Sequence, residues 1–135
     1  MIKPIALDHI VLRTTKYQAL IDFYCDVLGC VVERVLPDDI GLTQLRAGSS
    51  LIDIVKVNST LGKVGGEAPK TTGNNVDHFC LQIAAFDETA LKNFLTSKGV
   101  EVGDFEERYG AEGMGRSLYL TDIAGNNVEL RAKIS

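Results

Sequence analysis

The sequence predicts an α+β chain built from two βαβββ modules, and three observations point there. A histidine-centred frame occurs twice, as Leu7-Asp8-His9-Ile10-Val11-Leu12 and as Val76-Asp77-His78-Phe79-Cys80-Leu81. Each copy leads into an amphipathic helical pattern and then into three β-rich segments, the signature of an internal duplication. Between the halves, residues 58–75 are rich in turn formers and lack periodicity, so they read as a linker.

In the first module, about residues 5–57, the segment 5–13 alternates as a strand does. Thr15 and Gln18 have the spacing of a capping box, and Leu20, Phe23, Tyr24, Val27 and Leu28 then recur at helical steps until Gly29. Strands are expected over 30–36, 42–47 and 51–57, separated by Pro37-Asp38-Asp39 and Gly48-Ser49-Ser50. The second module, about 76–132, repeats the order. A strand over 76–84 precedes a helix with Asp87 as N-cap and Leu91, Phe94 and Leu95 on its apolar side, stopped at Gly99. Strands over 100–108, 116–121 and 127–132 complete it. The stretch Arg108-Tyr109-Gly110-Ala111-Glu112-Gly113-Met114-Gly115-Arg116 reads as a flexible loop or mobile lid and matches no nucleotide-binding fingerprint.

A chain of 135 residues has the size of one ordinary domain, here 1–135, able to bury a core without disulfides or structural zinc. Its net charge of −4, with no run of Lys or Arg, gives no footprint for nucleic acid or an anionic membrane. A small-molecule substrate is the expected partner. No signal-peptide pattern or spanning apolar run is visible, so a cytoplasmic location is expected. Cys25, Cys30 and Cys80 lack CxxC spacing and read as buried small hydrophobes, with Cys80 lining the face that His78 occupies.

Strand alternation sorts the chemistry, because side chains at i and i+2 share a face. Ile10 and Leu12, like Phe79, Leu81 and Ile83, belong against the helices, which leaves His9 and Val11, and His78, Cys80 and Gln82, on the other side. The last strand of each module repeats this. Ile52 and Ile54 face the helix with Asp53 opposite, and Val128 and Leu130 do so with Glu129 opposite. Ser117, Tyr119 and Thr121 share the polar face of Glu129, and alternation puts Arg13 and Arg131 there too, placed to meet an anionic substrate or to form surface ion pairs. Two imidazoles and two carboxylates at matched positions of a duplicated unit suit a divalent metal ion such as Ni, Zn, Co, Mn or Fe.

The strings Leu7-Asp8-His9-Ile10-Val11-Leu12, Phe23-Tyr24-Cys25-Asp26-Val27-Leu28-Gly29, Val76-Asp77-His78-Phe79 and Leu120-Thr121-Asp122-Ile123-Ala124-Gly125-Asn126-Asn127-Val128-Glu129-Leu130 resemble the vicinal oxygen chelate superfamily. That group holds glyoxalase I, fosfomycin-modifying thiol transferases, methylmalonyl-CoA epimerase, extradiol dioxygenases and bleomycin-resistance proteins. The resemblance spans nearly the whole chain and implies paired βαβββ modules whose sheets form a metal-binding cup. By position it implies His9, His78 and Glu129 as metal ligands, with Asp53 at a fourth ligand position where glyoxalase I has Glu and the epimerase Gln. Asp is one methylene shorter than Glu, so Asp53 stands either as a ligand, directly or through water, or as a base beside the metal.

The resemblance further implies Lewis-acid stabilisation of an enolate-like oxyanion, with Glu129 or Asp53 moving the proton. The leading expectation is therefore a glyoxalase-like lyase or isomerase acting on a small oxygenated metabolite or thiol adduct, working as a homodimer. The alternatives are a metal-free, drug-sequestering protein of the bleomycin-resistance type, a fosfomycin-type thiol transferase and an extradiol dioxygenase. An aromatic content of 7% without Trp gives little stacking surface for a flat drug.

Overall fold

A computed structural model describes residues 1–134 of the chain. The chain divides into two compact units, Met1–Lys70 and the remainder from Thr71 onward. The first contains β1 (His9–Thr14), α1 (Tyr17–Asp22), β2 (Val31–Val35), β3 (Leu42–Ala47), β4 (Ser50–Lys56) and α2 (Thr60–Val64). The second contains β5 (Phe79–Ile83), α3 (Glu88–Ser97), β6 (Glu106–Gly110), β7 (Gly113–Thr121) and β8 (Asn127–Ala132).

The two sheets have the same plan. Their strand orders are β1-β4-β3-β2 and β5-β8-β7-β6, with the first pair of each parallel and the others antiparallel. Each unit thus joins its first strand to its last, and the duplication read from the histidine frames is a duplication of topology. The parallel pair requires a crossover, which the helix supplies.

One face of each sheet forms a core. In the first unit Leu12, Leu45, Ile52 and Ile54 are buried, together with Leu20, Ile21 and Tyr24 of the helical segment, and α1 packs on β4. The helix continues past Asp22 as a π-helical turn, Phe23–Val27, and closes where Cys30 N–H donates to the Tyr24 carbonyl. Gly29 makes that reversal with φ +74°, a conformation that costs glycine little. In the second unit Leu118, Leu120, Val128 and Leu130 are buried on the corresponding face, and Leu95 of α3 is buried as well.

Four expectations are corrected. Thr15 and Gln18 form no capping box. The N-cap of α1 is Lys16, whose N–H donates to Thr14 Oγ1, while Gln18 donates to Asp22. The linker contains α2, opened by Ser59, whose Oγ accepts from Gly62 N–H at 3.0 Å. The strand expected over 100–108 begins only at Glu106, with Val102 making a single bridge to Leu120. Most informatively, the glycine-rich stretch is no lid but the β6–β7 hairpin, in register from Glu106 opposite Ser117 to Gly110 opposite Gly113. Its glycines make room for the buried Arg131, since a Cβ at Gly110 or Gly115 would collide with the Arg131 guanidinium. No helix among the described residues is long and apolar enough to cross a membrane.

Candidate metal centre

In the first unit the register places Val11 beside Asp53 and Gln44 beside it on the opposite flank, so the three form a row across β1, β4 and β3. His9 opens β1, alongside Leu51. Asp53 is only 4% exposed. Gln44 Nε2 donates to its Oδ2 at 3.2 Å, whereas Oδ1 is buried with no hydrogen-bond partner. Leaving a buried acceptor unmade costs about 1–3 kcal/mol, more for a charged group. His9 lies close enough to feel this charge: its pKa is raised mainly by its hydrogen bond to Asp8, with Asp53 adding to the effect against partial desolvation.

The second unit repeats the row as Cys80, Glu129 and Tyr119 across β5, β8 and β7. Glu129 is 6% exposed, and its Oε1 lies 3.3 Å from His78 Nε2. The Tyr119 hydroxyl is also 3.3 Å from that nitrogen, and the two rings meet edge to face. Burial first, then the Glu129 charge, raise the Tyr119 pKa, so the phenol keeps its proton. Arg108 lies over the Tyr119 ring at 4.6 Å and donates to the Ser117 carbonyl and hydroxyl. The carboxylate's place in the chain is fixed by the turn before β8, where Asp122 Oδ1 accepts from the N–H groups of Ala124 and Asn126.

The donor set suits a divalent cation in two respects. Metal bonds of the usual length to imidazole and carboxylate, at tetrahedral or octahedral angles, separate neighbouring donor atoms by about 2.9–3.5 Å, and His78 Nε2 and Glu129 Oε1 stand at such a spacing. The orphaned Asp53 Oδ1 is a buried carboxylate oxygen with no hydrogen-bond partner. Among the described residues, no group of three or more His, Cys, Asp or Glu forms a metal-holding cluster; the expected donors occur as one pair in each unit.

Other residues singled out in the sequence have settled elsewhere. Arg13 donates to the carbonyls of Gly62, Gly66 and Glu67, so its guanidinium satisfies the C-terminal end of α2. Arg131 donates to the Gly113 carbonyl, pinning the hairpin. Neither guanidinium is free for an anionic substrate. Arg46 and Arg116 form two-pronged pairs with Glu33 and Glu88. Of the three cysteines expected to be buried only Cys30 is, Cys25 being half-buried and Cys80 exposed. Partial desolvation, followed by Glu129, still pushes the Cys80 thiol up to about 11, so it is no thiolate nucleophile. The sequence reading passed over Gln44, which only the register brings to Asp53, and the acidic residue preceding each histidine, although both stood in the repeated frame.

The family model for the Glyoxalase/Bleomycin resistance protein/Dioxygenase superfamily matches residues 6–130. The chain belongs to this superfamily. Solved structures agree on the fold. An integron cassette protein from the mobile metagenome of V. cholerae is 23% identical, with 98% of each chain covered and a TM-score of 0.74. A virulence protein from Salmonella typhimurium is 23% identical, covering 99% of this chain and 100% of its own, with a TM-score of 0.73. Lactoylglutathione lyase from Agrobacterium tumefaciens is 22% identical over 96% of this chain and 94% of its own, with a TM-score of 0.67. At such identities the likeness speaks for the fold alone, and no curated protein matches the chain. The superfamily's description spans enzymes and drug-resistance proteins, so the reaction must be argued from the site.

Proposed function

We propose that this chain is a divalent-metal-dependent lyase or isomerase of the glyoxalase type, acting on a small oxygenated metabolite or thiol adduct and working as a homodimer. His9 and Asp53 of the first unit and His78 and Glu129 of the second are the proposed ligands. The observation that carries the reading is the His78–Glu129 pair, an imidazole nitrogen and a buried carboxylate oxygen at 3.3 Å. A divalent ion held there would supply Lewis-acid stabilisation of negative charge on a substrate oxygen.

The chain's own residues supply the rest. Glu129 and Asp53 are buried carboxylates, and they are the proposed groups that accept a proton from a carbon next to a carbonyl and return it. Asp53 retains an oxygen with no donor, so it suits the base role wherever it does not ligate. The proton-bearing Tyr119 hydroxyl adds a donor on the same row as Glu129.

Deuterium incorporation from solvent into a panel of hemithioacetals and 2-oxo compounds tests this reading. Exchange that requires added Ni, Zn, Co, Mn or Fe and disappears in Glu129→Gln is expected. Full exchange or turnover in chelator-treated protein contradicts it. No exchange with any of these metals, together with no metal uptake, moves the metal-free binding reading to first place.

A further inference from the structure

Both histidines carry the same neighbour on the same nitrogen. His9 Nδ1 lies 2.7 Å from Asp8 Oδ1, and His78 Nδ1 lies 2.7 Å from Asp77 Oδ2. Successive side chains of a strand point to opposite faces, so such a contact is not a consequence of strand geometry. It forms where the chain enters the sheet, at the first residue of β1 and one residue before β5, and it forms independently in each compact unit.

The chemistry of the contact is directional. A carboxylate only accepts, and a neutral imidazole has one N–H, so the short contact places the hydrogen on Nδ1. In the neutral ring the lone pair is then on Nε2. In the second unit that nitrogen can accept from the Tyr119 hydroxyl at 3.3 Å, and its equally long contact with Glu129 Oε1 is weaker than the 2.7 Å contact that holds the hydrogen on Nδ1. The nitrogen that binds a metal is set by the hydrogen bond the other nitrogen makes.

We propose that Asp8 and Asp77 are positioning residues, which hold His9 and His78 in the Nδ1–H tautomer and turn each Nε2 lone pair toward the carboxylate-bearing face of its sheet. For its purpose the inference rests on the metal reading above; the tautomer itself does not. A carboxylate behind a ligating imidazole also raises its basicity, and loss of such a partner typically weakens metal affinity about 10- to 100-fold. Asp8 and Asp77 are 91% and 93% exposed in their side chains, so replacing them leaves the cores intact.

The test uses Asp8→Ala, Asp77→Ala and the double variant, with Asp→Asn at each position as the intermediate that accepts a hydrogen bond without a charge. Long-range proton–nitrogen NMR of the metal-free protein at alkaline pH reads the tautomers, and titration with Co(II) reads affinity. Nδ1–H at both histidines of the unmodified protein is expected, with loss of that preference in each Ala variant. Co(II) binding is expected to weaken about 10-fold for each aspartate replaced by Ala, Asn falling between Asp and Ala. Nε2–H in the unmodified protein, or Ala variants that keep the tautomer or bind Co(II) as tightly, would overturn the proposal. An unmodified protein that takes up no Co(II) would defeat the metal reading, while the NMR result would still decide the tautomers.

Discussion

Replacing Asp53 by Val should make the metal-free protein more stable and the metal-treated protein less so. Asp53 Oδ1 is buried without a partner, a deficit of about 1–3 kcal/mol that Val removes. Val also suits the interior of β4, where Val55, two residues on, is buried on the same face. Gln44 loses one 3.2 Å hydrogen bond but is only part-buried and can reach water, returning about 0.5–1.5 kcal/mol. The net expectation is a gain of about 1 kcal/mol with chelator present, or a Tm rise of about 3–5 °C for a chain of this length. Saturating metal acts in the opposite sense. At a hundred times Kd it stabilises the unmodified protein by about 2.7 kcal/mol, a shift that the variant should largely forgo. Thermal and urea unfolding with chelator and with Ni or Zn gives all four values. A metal-free Asp53→Val protein destabilised by more than about 1 kcal/mol would refute the reasoning, because Oδ1 would then be satisfied in a way the geometry does not contain.

Three further outcomes are expected. Gly115→Ala should destabilise by about 1–3 kcal/mol in urea, because the new methyl group meets the buried, hydrogen-bonded Arg131 guanidinium at the hairpin; an unchanged midpoint would mean that the arginine moves freely. The Glu88 pKa is lowered by its two-pronged hydrogen bond to Arg116. Its stabilising contribution is therefore present above the unfolded carboxylate value and lost as pH falls through the lower folded value, so Glu88→Gln should flatten that part of the acid limb of stability against pH. Cys80 and Cys30, both pushed up to about 11, should react with disulfide reagents slowly at neutral pH and faster as pH approaches 10, and Cys80→Ser should keep metal uptake.

The architecture was legible because it rests on period and repetition. Half-buried strands such as β1 alternate visibly, and the repeated Asp-His frames align the modules before any contact is known. Asp53 and Glu129 were recoverable for the same reason: each sits singly between apolar neighbours that belong to the other face. What the sequence concealed was where long side chains go. Alternation puts Arg13 and Arg131 on the side of their strands that bears the histidines and the buried carboxylates, but their guanidiniums end on main-chain carbonyls at the end of α2 and in the hairpin. The glycines at 110, 113 and 115 look like a mobile loop when counted by composition. They form a regular hairpin because the buried arginine fills the space beside two of them. Helix α2 escaped because it is a five-residue turn with Gly62 inside it, too short to show a period, and Ser59 and Arg13 hold it at its two ends. Gln44 and Tyr119 become neighbours of the carboxylates only through β3–β4 and β7–β8 register, which a single sequence does not specify.

Metal content by elemental analysis tests the central claim most directly, on protein purified without chelator or affinity metal and on its His78→Ala and Glu129→Ala variants. About one Ni, Zn, Co, Mn or Fe ion per chain, lost in both variants, is the result the account predicts. Protein that carries no such ion and takes up none on titration, or variants that retain it in full, would contradict it.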